Sequence, residues 1–167
     1  MKPAYIQHPK ITPHRGFTLL EVLIAIVVLS IGLLGLAGLQ AAGLRSNNGA
    51  YMRTMATQQT YDMADRIRAN PAGIYVGTTG AATATCLTTG LSCTPNALAA
   101  HDIFEWNAAN TNLLPSGQGT ITASAAANSF IITVRWDETR TGATGTNCTN
   151  NLNTDLTCFT MEFRLRP

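Results

Sequence analysis

The stretch that most constrains this chain runs from Phe17 to Leu39, 23 residues with one charge, Glu21, and only Thr18 and Ser30 as other polar groups. At about 1.5 Å per residue a helix of that length reaches roughly 35 Å, enough to cross a hydrocarbon core of about 30 Å. The remainder of the 167 residues is polar, light on charge and rich in Thr, Asn, Ala and Gly, so it can bury only a small core. The composition implies an apolar segment joined to one modest domain.

Charge sharpens the division. The formal +2 rests on Lys2, Lys10 and Arg15, all ahead of the apolar run, and no lysine follows residue 10. Three of the 11 basic residues are thereby accounted for, leaving eight against nine acidic ones in the rest. No Lys/Arg cluster of the kind that tracks a phosphate backbone is present, so no nucleic-acid partner is expected. The basic flank, with His8 and His14, favours a cytoplasmic N-terminus, with everything after Leu39 across the membrane.

A secretory signal has an h-region of roughly 7–15 residues, shorter than this run, although Ala41-Ala42-Gly43 passes as a weak cleavage site. A plain membrane anchor fits the length. Neither reading explains a carboxylate just inside the apolar boundary, where it costs a few kcal/mol. Snorkelling of Glu21 to the interface is the bland account. The alternative begins at Gly16. A cut between Gly16 and Phe17 frees an α-amino group, and Glu21 lies one helical turn away at i+4. A buried carboxylate needs such a cationic partner.

The residues Gly16-Phe17-Thr18-Leu19-Leu20-Glu21 ahead of an apolar helix resemble the processing site of type IV prepilins and of type II secretion pseudopilins. The resemblance implies that a membrane aspartyl peptidase, the prepilin peptidase, cuts after Gly16 and N-methylates Phe17. It implies that Glu21 meets the N-terminal amine of a neighbouring subunit during assembly. It also implies a fold, α+β and type IV pilin-like. A long N-terminal helix packs on a small antiparallel sheet with disulfide-closed loops. The expected organisation is a leader over 1–16, a helix over 17–70 with its membrane and assembly segment at 17–39, and a head over 71–167.

Within that family several segments resemble the PilV-type minor pilins. They are Ser30-Ile31-Gly32-Leu33-Leu34-Gly35-Leu36, Ala69-Asn70-Pro71, Asp102 with Trp106, the Leu114-Pro115-Ser116-Gly117-Gln118-Gly119 turn, Val134-Arg135-Trp136 and the terminal cysteine loop. That likeness implies a low-abundance subunit that primes pilus assembly. The implied partners are other minor and major pilins, the inner-membrane assembly platform and a tip adhesin. The implied location is the inner membrane of a Gram-negative bacterium, single-pass with a periplasmic head, and then the extracellular pilus. The rival readings are a pseudopilin of a type II secretion machine and an adhesive or DNA-uptake pilin.

The helix has no proline from Phe17 to Asn70, and Pro71 stops it, since residues before proline avoid the α region. Met52, Ala56, Met63 and Ile67 recur at helical spacing with Met55 and Gln59 alongside, while Arg53, Arg66 and Arg68 lie off the stripe. Gly32, Gly35 and Gly38 weaken the membrane half; close helix packing and local melting are both open readings. Ser46 to Gly49 is a second soft spot.

In the head, Ile74 to Asn96 reads as loop with a short strand. Asp102 to Leu114 reads as a helix capped by Asp102 with Glu105 at capping-box spacing, presenting Ile103, Trp106, Asn110 and Leu113 on one face. Strands are expected over Thr120–Ser124, over Ser129–Trp136 and finally along Phe159, Met161, Phe163 and Leu165, which face inward. Of the three pairings that Cys86, Cys93, Cys148 and Cys158 allow, short loops favour Cys86–Cys93 and Cys148–Cys158, though sequence alone does not choose. Zinc is the rival, but neither pair has the spacing of common zinc sites. No metal or other cofactor is expected. Beyond the leader the sole histidine is His101, and no nucleophile elbow or phosphate-binding glycine loop is present, so the chain is not expected to be an enzyme. His101 reads as the flank of a helix, and Asp137-Glu138 as a solvated turn.

Overall fold

A computed structural model describes residues 16–82, 86, 93–149 and 151–165. The basic residues ahead of Arg15 and Arg15 itself, most of the loop between the first two cysteines, and Arg166 lie outside them. In chain order the elements are α1 (Leu19–Ala69), α2 (Pro95–Leu113), β1 (Gln118–Ala123), β2 (Ser129–Trp136) and β3 (Thr157–Arg164). The architecture is α+β, a long N-terminal helix packed on a small antiparallel sheet.

Two compact units divide the chain inside α1, between Leu44 and Arg45. In the first unit every described residue is exposed. It contains the part of α1 that is long and apolar enough to cross a membrane. The second unit contains the rest of α1 and the whole head. Here one face of the helix is buried along Gly49, Met52, Ala56, Thr60, Met63, Ala64 and Ile67. The 3.6-residue period puts these side chains in one line, as the methionine spacing requires. Neither the Ser46–Gly49 stretch nor any of the upstream glycines interrupts α1.

The sheet has the order β1-β2-β3 and is antiparallel throughout. Its register aligns Ile121, Ile132 and Met161 across the three strands, and Ala123, Phe130 and Phe163 two pairs further on. Apart from the exposed Ala123, these residues belong to the core that the helices cover. Ile132, Val134 and Trp136 are fully buried against Met63, Ile67, Trp106 and Leu114. In β3 only Phe163 is deeply buried; Phe159, Met161 and Leu165 are half-buried at the margin of the same core. Burying so large a share of aromatic and aliphatic side chains supplies the main favourable term for a head of this size.

The second helix differs from the sequence reading. It begins at Pro95, seven residues earlier than expected, with Thr94 as its cap. Thr94 Oγ1 accepts from Ala97 N–H at 3.2 Å, and Pro95 sits at the first helical position, where its missing N–H costs nothing. Asp102 is therefore inside the helix and buried, not a cap. His101 is likewise buried within α2 and not on its flank, with Nε2 3.3 Å from Glu105 Oε1. Ile103, Trp106 and Asn110 face inward as their spacing requires, but Leu113 is exposed and the next residue, Leu114, is buried in its place. The chain has already left the helix at Leu114, whose extended backbone turns its side chain into the core.

Candidate functional site at the start of the first helix

Gly16, Phe17 and Thr18 are non-helical and exposed, and α1 begins at Leu19. The boundary has a local cause. Thr18 Oγ1 accepts a hydrogen bond from Glu21 N–H at 3.2 Å, and Thr18 O accepts from Val22 N–H at 3.3 Å. Thr18 is thus the cap, satisfying one of the N–H groups that the first turn leaves without a helical partner. The sequence carried the signal, since Thr18-Leu19-Leu20-Glu21 has the T-x-x-E spacing that announces a helix start. The helix therefore starts two residues after the expected Phe17.

Two consequences bear on chemistry. The Gly16–Phe17 peptide lies outside the helical ladder, in backbone that an enzyme can take in extended form. Glu21 lies in the first turn of α1, where the helix dipole favours an anion. Phe17 and Glu21 line one shallow groove with Val22, Ala25, Ile26 and Leu29, so the aromatic ring and the carboxylate share a face of the helix.

Residues 12–37 match the prokaryotic N-terminal methylation motif. The match spans the Gly16–Phe17 bond, Glu21 and most of the apolar run. It supports a prepilin-like N-terminus of the type IV pilin kind, anchored in a membrane by the apolar helix. No curated protein and no solved structure matches the chain.

The other sequence candidates belong to the head. Cys86 is bonded to Cys93 and Cys148 to Cys158, with Cα atoms 5.0 and 5.5 Å apart. The second bridge ties the loop after β2 to the start of β3. In that loop Asp155 is buried and accepts from Thr149 Oγ1 and Asn147 Nδ2. Asp137, expected in a solvated turn, is buried as well. Its carboxylate accepts from the N–H groups of Thr141 and Gly142 at 3.2 and 2.8 Å and so closes the turn after β2. Glu138 reaches Arg53 on α1, with Nη2 and Oε2 3.6 Å apart.

Sequence reasoning missed one polar cluster entirely. Arg66 on α1 meets Asp62, and across the interface Asp102 and Glu105 of α2, at 2.9, 3.2 and 3.2 Å. Burial alone would lower its pKa, but the hydrogen bonds it donates to these carboxylates outweigh that and raise it. Asp102 also accepts from the buried Tyr75 hydroxyl at 2.8 Å. Burial, then that hydrogen bond, pushes the Tyr75 phenol well above its ordinary value. Asn70 Nδ2 donates to Pro95 O and to Tyr75 Oη, pinning the end of α1 to the start of α2. The cluster is a structural lock between α1 and α2, since Arg66 pairs with Asp62 on its own helix and with Asp102 and Glu105 across the interface.

Proposed function

We propose that this chain is a minor pilin of a type IV pilus, processed by prepilin peptidase between Gly16 and Phe17 and acting in the priming and assembly of the filament. The observation that carries the reading is the non-helical Gly16–Phe17 bond capped off from α1 by Thr18, with Glu21 in the first turn of an exposed apolar helix. On this reading residues 1–16 are the leader, 17–39 the membrane and assembly segment, and 71–167 the head.

Cleavage changes the electrostatics at one point. It replaces the Phe17 amide by an α-amino group, cationic at neutral pH because its ordinary pKa is about 8. That cation arises on the face of α1 that carries Glu21. In an apolar helix bundle each charge alone would be expensive, so an amine from the same or a neighbouring subunit gives Glu21 a partner and assembly a register. N-methylation of Phe17 keeps the charge while adding apolar surface. The functional role is structural. The partners are the prepilin peptidase, the other pilins and the inner-membrane platform, with a tip adhesin as a further one.

Expression of the precursor with and without prepilin peptidase, followed by sequencing and mass measurement of the mature N-terminus, tests the proposal. A chain beginning at N-methylated Phe17 is the expected result, and any other mature start sinks it. Glu21→Ala should leave processing largely intact and reduce incorporation into filaments; equal incorporation would remove Glu21 from the mechanism.

A further inference from the structure

The transition from the exposed apolar half of α1 to the packed half is marked by a cavity of about 620 Å³ lined by Arg45, Asn48, Gly49, Glu138, Thr139 and Arg140. Its charge is unbalanced. The one carboxylate, Glu138, is engaged by Arg53 and lies against α1 so closely that a Cβ on Gly49 would come within 2.8 Å of its Oε1. Arg45 and Arg140 form no ion pair among the described residues. Both are exposed, and Asn48 and Thr139 add exposed hydrogen-bond donors beside them. Arg140 is held at this rim by backbone, since its N–H donates to Asp137 O and its φ of 55° completes the turn that the buried Asp137 closes.

The position of the cavity along the chain says what it faces. No charged residue separates Glu21 from Arg45. The interval of 24 residues spans about 36 Å of helix, more than the ~30 Å hydrocarbon core and less than the 40–45 Å of a whole bilayer. With Glu21 near one interface, Arg45 emerges at the headgroups of the other.

We infer that Arg45 and Arg140, with Asn48 and Thr139, form a phosphate-binding site that takes the headgroup of a membrane phospholipid on the head side of the bilayer. Guanidinium groups suit phosphate because their planar N–H pairs match two of its oxygens. The source is a lipid and not free phosphate because Arg45 directly follows the apolar segment, so the site is presented with bilayer phosphates at very high local concentration. The contact seats the head at the membrane while the subunit waits in the bilayer, and it must be surrendered when the subunit is extracted. The inference rests on the membrane-anchored reading above.

The full chain in nonionic detergent, titrated with dioctanoyl phosphatidylglycerol, dioctanoylglycerol or inorganic phosphate and read by native mass spectrometry, tests it. Phosphatidylglycerol should bind more tightly than dioctanoylglycerol, and the preference should fall by roughly thirtyfold in Arg45→Gln/Arg140→Gln at low salt, the sum for two arginines near an anionic surface. Arg45→Lys/Arg140→Lys, which keeps the charge and loses the two-point fit, should retain only part of it, and Arg164→Gln, with its arginine on β3, should be unchanged. Equal binding of phosphatidylglycerol and dioctanoylglycerol, or a glutamine double variant with its preference intact, overturns the site. Inorganic phosphate that binds the two arginines as tightly as the lipid overturns the lipid assignment. Vesicle flotation keeps the two failures apart, because a chain that stays in the aqueous fraction refutes the membrane reading and not the site alone.

Discussion

Residues 19–44 and residues 45–69 belong to one unbroken helix, yet they solve opposite problems. In the first half every residue is exposed, and a Cβ on Gly32, Gly35, Gly38 or Gly43 would meet nothing within 4 Å beyond the surrounding helix backbone. In the second, seven positions on one face are buried against α2, Tyr75 and the sheet. The secondary structure is the same, but what satisfies the side chains differs: the head for one half, and for the other a lipid or a neighbouring helix. Helix formation in the second half is supported by tertiary packing; in the first it rests on propensity and an apolar surrounding.

The contrast is open to direct attack. Trp106→Ala should destabilise the head by about 3–5 kcal/mol, since it empties the centre of the core and removes the indole N–H that donates to Gln59 O at 2.8 Å. Leu34→Ala, on the exposed half, should leave the unfolding transition of the full chain within about 0.5 kcal/mol of wild type. Chemical denaturation followed by tryptophan fluorescence measures both, and comparable losses would dissolve the distinction between the halves.

A smaller difference is expected from glycine replacement. Gly119 lies so close to the Trp106 ring that a Cβ there would overlap it. Gly119→Ala should therefore cost about 1–3 kcal/mol by forcing the indole aside. Gly35→Ala meets open space and should raise helix stability by up to about 1 kcal/mol in detergent. Thermal melts of the two variants moving in the same direction would show that the apolar half has contacts of its own.

The least effect is one of pH. The Tyr75 phenol is raised in the folded head above its unfolded value near 10, so its contribution is complete below pH 10 and is lost as pH climbs toward the folded value. The melting temperature should fall above pH 10. Tyr75→Phe, less stable at neutral pH because Asp102 loses a donor, should show a shallower fall. Parallel declines would separate Tyr75 from the alkaline limb.

How much of this was legible depends on whether the cause was local. The methionine stripe of α1, the alternation of β2 and the Ile103–Trp106–Asn110 face follow from periodicity, which sequence displays directly. The start of α2 did not emerge because Asp102 and Glu105 imitate a capping box, while Thr94-Pro95 carried the operative signal. Their true partner, Arg66, is 36 and 39 residues away, a distance over which no local pattern speaks. Asp137 misled for a related reason: an acidic pair at a strand end is ordinarily solvated, and only the fold reveals that its oxygens are consumed by the turn. At the N-terminus the i+4 spacing of Phe17 and Glu21 places both on one face, and the cap by Thr18 is signalled by the T-x-x-E spacing of Thr18 and Glu21.

The buried line on α1 has a mechanical side. From Gly49 to Ile67 it extends over 18 residues, about 27 Å of helix. Tension drawn along α1 loads those contacts in parallel, as in a lap joint, so they must slip together. A pull at right angles would peel them one turn at a time. A head attached in this way resists being dragged by its own stem far better than being pried from it.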